Sequence, residues 1–390
     1  MFAIRGGPAI SLFSRVAAAA CQGVFLILLA RTVSLADFGV YSTICAIGAI
    51  CIGLFGMGLP ARALQIRPEQ LDIGGSYLAA AGFLSAASCA VALLASAYMV
   101  GHISWIAIAA TCFTAAELQN NIAQSYLYAL KRNWEADVFT VLRRLLPLLA
   151  VSMAIFLDLK ERAFPLVALG FLAAWVLGSA RFIGQYNFSN LRRHVVGGGF
   201  NYWLINLWSM AQQVDVILIN AFFGSHLSGL YASAVRLASP VHIITSVITS
   251  RLVPNLRHAR NRRSHDLLWR QLYNPLKMVI LCSLVASSAL YWVAPIIFDI
   301  PKSPVNLIYI AAFAAAAFSL LSQVLSAALY TQGGEASVQR YTRTSVFAGL
   351  TLVAVGGYFE SFAIAGSGIL CSQLILTVLL AKEKSRVSYA

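Results

Sequence analysis

Apolar runs of about 17 to 25 residues recur along the whole chain, and they restrict its fold more than any other feature. A helix of that length crosses a bilayer, whereas a strand of a membrane barrel needs only about ten residues. Charged residues make up 11% of the sequence, against about 25% in an ordinary soluble domain. Such a chain cannot cover itself with polar surface, so the sequence predicts an all-α integral membrane protein.

Charged or turn-rich breaks separate the apolar runs and predict twelve transmembrane helices. These helices span residues 8–30, 38–59, 76–99, 104–128, 134–157, 164–183, 200–223, 229–251, 274–297, 306–330, 342–358 and 362–381. They divide into an N-terminal six-helix lobe (1–183), a cytoplasmic linker (184–199) and a C-terminal six-helix lobe (200–390). Three consecutive glycines, 197–199, predict a flexible connection at the end of the linker.

The two predicted lobes repeat each other in outline. A Gly-aliphatic-Tyr-small sequence opens an apolar helix at residues 39–42 and again at 229–232. A polar stripe in the helix 104–128 also recurs at identical spacing in the helix 306–330. The stripes consist of Glu117, Asn120, Asn121, Gln124 and Tyr128, and of Ser319, Ser322, Gln323, Ser326 and Tyr330. Since each lobe has an even number of helices, we expect a pseudo-two-fold axis along the membrane normal and a cleft between the lobes.

The basic residues predict the orientation in the membrane. If the N-terminus is cytoplasmic, the opposite side receives only Arg31, Lys160, Arg162 and Lys302, and the other basic loop residues face the cytoplasm. Both termini are therefore predicted to be cytoplasmic. With its net charge of +14 concentrated on that side, the chain is also expected to contact membrane lipids.

Several charged side chains lie deep inside the predicted helices. Arg144 lies roughly 15 Å into its helix, near the bilayer midplane, and Glu117 and Asp215 lie at similar depth. An ionised side chain there costs at least about 3 kcal/mol if it faces lipid, so these groups should face water, substrate or each other. Asp137 has the spacing to form an ion pair with Arg144 within one helix, a role that would be structural only. The amides could equally hold helices together, and Arg236 could extend to the interface.

A cluster with Arg15, Arg143 and Arg144 and few acidic groups suits an anion, and arginine binds phosphate oxygens in bidentate fashion. We predict a substrate-binding set and two ion-coupling carboxylates. The substrate-binding set is Arg15, Arg143, Arg144, Arg236, Asn121, Gln124 and Gln213, and the ion-coupling residues are Glu117 and Asp215.

The sequence predicts no catalytic residue, no metal site and no cofactor. All seven cysteines fall inside apolar runs without a CxxC pair, and the six histidines are scattered. The predicted outer loops are only a few residues long, which argues against a membrane glycosyltransferase or polymerase. We therefore expect a protein that is not an enzyme and that does not bind nucleic acid. A purely structural scaffold would not need matched polar stripes at the midplane.

The sequence resembles the polysaccharide transport family of the multidrug/oligosaccharidyl-lipid/polysaccharide exporter (MOP) superfamily. The resemblance lies in the paired GVYS and GLYA turns, the segment from Asp215 to Arg236, the twelve helices and the cationic cleft. This family includes the flippases of O-antigen, which belongs to lipopolysaccharide, and of exopolysaccharide. By this resemblance, Arg15 and Arg143 or Arg144 match the family's cationic cavity, and Asp215 and Arg236 fall in its recurring second-half segment. The chain is short for the family.

The resemblance implies a flippase that moves undecaprenyl-pyrophosphate-linked oligosaccharides across the bacterial inner membrane by alternating access. Proton or sodium coupling would pass through Glu117 or Asp215. A polysaccharide polymerase or glycosyltransferase would be a further partner. The alternative is a multidrug or cation antiporter of the same superfamily, which should present an acidic cavity to its cationic substrates.

Overall fold

The structure is a computed structural model that describes residues 8–389 apart from 65, 67–69, 190, 197–199, 239–261, 301–302 and 331–333. All regular secondary structure among these residues is helical. The α-helices are α1 (Pro8–Thr32), α2 (Leu35–Phe55), α3 (Leu59–Ala63), α4 (Leu71–Val100), α5 (Trp105–Ala129), α6 (Asn133–Phe156), α7 (Ala163–Ala180), α8 (Leu191–Val196), α9 (Phe200–Ala211), α10 (Val214–Leu237), α11 (Arg262–Phe298), α12 (Leu307–Tyr330), α13 (Glu335–Tyr358) and α14 (Phe362–Tyr389). The predicted fold class, an all-α membrane protein in two lobes, is confirmed.

Each of the twelve predicted helices overlaps helical residues. Within the described part of the chain, eight helices are long and apolar enough to cross a membrane. Helix α5 has the required length but not the hydropathy, because it carries Glu117 and several amide side chains. The predicted end of the helix 229–251 and the glycines 197–199 lie outside the described residues.

The predicted continuous helix over residues 200–223 is interrupted. Helix α9 ends at Ala211, and α10 begins at Val214 after a two-residue turn. Asp215 Oδ1 accepts a hydrogen bond of 2.6 Å from the Val216 N–H, so the carboxylate satisfies a donor in the first turn of the new helix. The polar residues at this position therefore start a second helix instead of continuing the first.

The predicted repeat of the Gly-aliphatic-Tyr turn has a structural counterpart. Ser34 caps α2 with its hydroxyl, which accepts from the Asp37 N–H at 3.0 Å. The offset that pairs Gly39 with Gly229 pairs Ser34 with Gly224, where α10 is kinked at φ 81° and ψ 173°. That conformation favours glycine. Both copies thus restart a helix at the same position, and the tyrosines that follow, at 41 and 231, are buried.

The chain divides into two compact units, the first ending at Asn220 and the second beginning at Ala221. In the first unit α5 lies centrally and packs against α2, α4, α6 and α7, while α1 packs against α6. In the second unit α14 packs against α12 and α13. The linker boundaries at residues 184 and 199 stay a prediction.

Small residues let the helices of the first unit approach closely. A Cβ on Gly170 of α7 would lie 2.9 Å from the Cα of Pro147 on α6, and a Cβ on Gly178 would meet the side chain of Asn120 on α5. Helices α5, α6 and α7 therefore form a tight group. This packing fixes the polar faces of α5 and α6 against each other.

Candidate functional site

Two arginines of α6 meet one carboxylate of α5. Arg144 forms an ion pair with Glu117 Oε1, and the Nη1 atom of Arg143 lies 3.7 Å from Glu117 Oε2. The Arg143 Nη1 also donates a hydrogen bond of 2.6 Å to Asn121 Oδ1, one turn further along α5. The three charged side chains are 12–14% exposed. We call these four residues the arginine–glutamate cluster.

The depth of this cluster in the membrane explains why its charged side chains pair with each other. Glu117 is about twelve residues into α5 and Arg144 about eleven into α6, or about 16–18 Å along each helix. That is close to the middle of a hydrocarbon core of about 30 Å. Unpaired charges at this depth are costly. Of the predicted alternatives, water, substrate or each other, Glu117 and Arg144 follow the last, in an ion pair between neighbouring helices.

A second group of polar side chains continues the cluster toward the start of α6. Gln124 on α5 donates to the Thr140 hydroxyl on α6 and lies 3.4 Å from the Tyr128 hydroxyl. Tyr128 donates to Asp137 Oδ1 at 2.7 Å, and the Asp137 side chain is buried. The guanidinium of Arg15 on α1 lies 5.7 Å from the centre of the Tyr128 ring, within the range of a cation–π contact. These contacts bring α1 to the polar face of α5 and α6.

The charges of the two groups nearly balance. Arg15, Arg143 and Arg144 carry three positive charges, and Glu117 and Asp137 carry two negative ones. The site is therefore less cationic than the arginines alone suggest. A bound anion would replace Glu117 at an arginine, and a bound cation would have to displace a guanidinium from Glu117.

The side chain of Arg143 has an unused hydrogen-bond donor, and the helix around it is interrupted by a proline. The Nε atom of Arg143 is buried and has no hydrogen-bond partner among the described residues. Pro147 lies four residues later in α6 and lacks the N–H that would bond to the Arg143 carbonyl. The cluster therefore offers the Arg143 Nε–H as a hydrogen-bond donor to a ligand that enters it.

The side chains of the α5 polar stripe do not all contact the same neighbouring helix. Asn120 points toward α7, where its Nδ2 donates to the Ala174 carbonyl at 3.3 Å as well as to Ala116 in its own helix. The matching stripe of α12 carries no charge, and two of its members bond locally. Ser322 donates to the Ser319 carbonyl, and Gln323 donates to the Ser319 hydroxyl. The two stripes match in sequence spacing but differ in chemistry.

The structure brings together six of the nine predicted site residues in the first unit. They are Arg15, Glu117, Asn121, Gln124, Arg143 and Arg144. Gln213 and Asp215 lie at the turn between α9 and α10 and are half-buried, and Arg236 lies on the second unit's part of α10. The roles of all nine residues stay predictions.

Three residues outside the predicted set belong to the same network. Tyr128, Asp137 and Thr140 link Gln124 to Arg15 by the contacts given above. Their spacing places them on the polar faces of α5 and α6, but does not say that those faces meet. Asp137 does not rely on the within-helix pair with Arg144 that its spacing allows, since it accepts from the Tyr128 hydroxyl on α5. Among the described residues, no group of three or more His, Cys, Asp and Glu side chains could hold a metal ion.

No protein-family model matches the sequence, and no curated protein matches it. Solved structures do match, over nearly their whole length. One is a MOP superfamily transporter from Pyrococcus furiosus, whose binding pocket is described as having a reverse polarity that suggests a different function. It is 14% identical with a TM-score of 0.63, and the match covers 98% of this chain and 97% of that chain. A MATE in the straight conformation is 13% identical with a TM-score of 0.64, covering 99% and 97%.

A third similar structure is a multidrug resistance MATE family transporter of the MOP superfamily in its inward-facing conformation. It is 12% identical with a TM-score of 0.62, and the match covers 100% of this chain and 96% of that chain. Identities this low show a shared fold only. The chain therefore has the fold of the MATE transporters of the MOP superfamily.

Proposed function

We propose that this protein is a membrane transporter that works by alternating access, not an enzyme. The observation that carries the proposal is the match to MATE transporter structures along the full length of both chains. A polar network deep in the first unit supports it, since intramembrane charges commonly mark substrate or ion pathways. The inner membrane, with both termini cytoplasmic, is its proposed location.

For the cargo, the structural comparisons support the multidrug or cation antiporter better than the polysaccharide flippase. In this mechanism Glu117 and Asp137 are the carboxylates that a proton, a sodium ion or a cationic substrate would neutralise. Binding at Glu117 would break its ion pair with Arg144. Exchange of partners at Glu117 would thereby link occupancy of the site to a rearrangement of α5 and α6. Asp215 is the alternative coupling residue.

One observation favours the flippase of undecaprenyl-pyrophosphate-linked oligosaccharides as the second candidate. Arginines exceed carboxylates in the network, and the buried Nε of Arg143 is available to an anion. A pyrophosphate would take the donors of Arg143 and Arg144 in place of Glu117. In that case Asn121 and Gln124 would contact the phosphate or the first sugar.

The two candidates are separated by reconstituting the purified protein in liposomes. One assay measures uptake of a fluorescent lipophilic cation driven by a proton or a sodium gradient. The other measures access of an externally added hydrolase to a pyrophosphate-linked oligosaccharide lipid placed in the inner leaflet. The antiporter requires gradient-driven cation uptake that Glu117→Gln abolishes. The flippase requires lipid translocation that Arg143→Gln and Arg144→Gln abolish.

Matched controls use residues outside the network. Glu161→Gln and Arg162→Gln change the same groups at exposed positions, and both variants should transport at the rate of the unmodified protein. Cation uptake without lipid translocation would reject the flippase, and the reverse result would reject the antiporter. Inactivity in both assays, with folding confirmed by thermal unfolding, would contradict the proposal for both cargo classes.

A further inference from the structure

The segment that follows α7, residues 183–189 and 191–196, is docked on α3 and the beginning of α4. We call it the docked segment. Arg62 donates to the carbonyls of Val195 and His194 at 2.5 and 2.6 Å, and its guanidinium lies 5.1 Å from the centre of the Tyr77 ring. The Ser76 hydroxyl lies 3.1 Å from His194 Nδ1. The docked segment therefore has a fixed place on the first unit.

Helix α4 becomes exposed just beyond the part that the docked segment contacts. Residues 74–81 of α4 are all buried. From there on, large apolar side chains are exposed at helical spacing, at Phe83, Val91, Leu94 and Tyr98. Such a stripe on a membrane-spanning helix is the surface that contacts lipid tails. Phe188 of the docked segment packs edge-on against Phe83, with ring centres 6.2 Å apart.

The position of Phe83 along α4 places the docked segment at one edge of the bilayer. Tyr98 is 92% exposed near the other end of the helix and is suited to a membrane interface. About fifteen residues of helix separate it from Phe83, or about 22 Å. In a hydrocarbon core of about 30 Å, Phe83 then lies in the outer part of the opposite leaflet. Phe188 is 59% exposed and extends the apolar surface at this level.

Two arginines follow Phe188 on the same docked segment. Arg192 and Arg193 are exposed on α8, whereas Val195 of the same helix is buried. Two acidic groups of the first unit have other partners. Asp72 lies 3.5 Å from the Asn187 amide, and Glu135 pairs with Arg132 and Arg181. Exposed arginines four and five residues after a lipid-facing aromatic side chain match a phospholipid whose headgroup carries a negative charge.

We propose that the docked segment is a binding site for an anionic phospholipid, with Arg192 and Arg193 on the headgroup phosphate and Phe188 against the acyl chains. The site differs from the network of α1, α5 and α6 and does not depend on which cargo is transported. Its ligand comes from the bilayer, because the Phe83–Phe188 surface adds an apolar contact that a free phosphate cannot use.

The test replaces Phe188 by the photoreactive p-benzoylphenylalanine in the full chain. The protein is reconstituted in nanodiscs of phosphatidylcholine with about 10% phosphatidylglycerol, a level at which headgroup preference is measurable. Illumination followed by mass spectrometry gives the ratio of the two lipids crosslinked at position 188. We expect the ratio of phosphatidylglycerol to phosphatidylcholine among the crosslinked lipids to exceed the bulk ratio by about fivefold for each arginine, and by less at high salt.

The decisive variant is Arg192→Gln/Arg193→Gln, which should return the crosslinked lipids to their bulk ratio. Lys160→Gln/Arg162→Gln is the matched control, since it removes two exposed charges from the predicted opposite side of the membrane. Crosslinked lipid at the bulk ratio in the unmodified protein would overturn the proposal. Enrichment that persists in the double arginine variant, or a residue 188 that crosslinks to no lipid, would also overturn it.

Discussion

At the scale of single residues, Glu117 is the most constrained group of the network, because it faces both Arg143 and Arg144. Glu117→Gln leaves two nearly buried guanidinium groups without that carboxylate. We expect it to lower the free energy of unfolding by about 3–5 kcal/mol, measured by detergent titration in mixed micelles. Glu117→Gln/Arg144→Gln should lose less, because it removes one charge of each sign.

The control for this pair is Glu161→Gln, at an exposed glutamate, where the same chemical change should cost less than about 0.5 kcal/mol. If the double variant were less stable than Glu117→Gln alone, the ion pair would not be the main contact of Glu117. The cluster would then need another account of its charge balance.

Tyr128 has two separable functions in the network, which a conservative substitution can distinguish. Tyr128→Phe keeps the ring beside Arg15 but removes the hydroxyl that donates to the buried Asp137. We expect a loss of about 1–3 kcal/mol in unfolding free energy. Tyr98→Phe, at a side chain that is 92% exposed, should be nearly neutral. Equal effects at both positions would show that the hydroxyl of Tyr128 is not important for Asp137.

At the scale of helices, the contact of α6 with α7 positions both arginines of the cluster. Gly170→Val would introduce a side chain whose Cβ lies 2.9 Å from the Cα of Pro147. We expect α6 to be displaced, with a loss of about 1–3 kcal/mol and slower transport. Gly23→Ala in α1 is the control, since nothing lies within 4 Å of its added Cβ. That variant should be neutral or more stable by up to about 1 kcal/mol.

The docking of α8 by Arg62 gives a prediction that proteolysis can check. Arg62→Ala removes two hydrogen bonds from a charged donor to the carbonyls at the end of α8. Local opening should increase, so trypsin should cleave after Arg192 or Arg193 about tenfold faster or more. Arg181→Ala, at an exposed residue paired with Glu135, should leave the rate unchanged. An unchanged rate in Arg62→Ala would mean that the apolar contacts alone hold the segment.

The sequence predicted helices well and their contacts less well, for physical reasons. Apolar length alone identifies a span, so ranges such as 104–128 and 134–157 agree closely with Trp105–Ala129 and Asn133–Phe156. Helical spacing also placed Glu117, Asn121 and Gln124 on one side of α5. Spacing cannot say which neighbouring helix a residue meets, so it places Asn120 on the polar stripe although the side chain contacts α7. The partner of Arg144 was likewise undetermined, because Glu117 belongs to another helix.

At the scale of the whole molecule, the two units keep the outline of a repeat but differ in chemistry. Helix α5 carries a charge in its polar stripe, whereas the stripe of α12 consists of hydroxyls, one amide and a tyrosine. Buried charges at midplane are expensive and persist where they have a role. The first unit is therefore the place where substitutions should separate transport from stability, and equivalent changes at Ser322 or Gln323 should affect transport less.

The orientation of the molecule follows from where its basic residues lie, and it determines which leaflet the docked segment meets. We predict that both termini are cytoplasmic. A fluorescent protein fused after residue 390 should then fluoresce, and alkaline phosphatase fused at the same position should be inactive. Fusions in the turn at 157–162, which carries Lys160 and Arg162, should show the opposite pattern. A phosphatase active at the C-terminus would reverse the topology and place Arg192 and Arg193 in the outer leaflet. The lipid site would then have to select its anionic ligand from that leaflet.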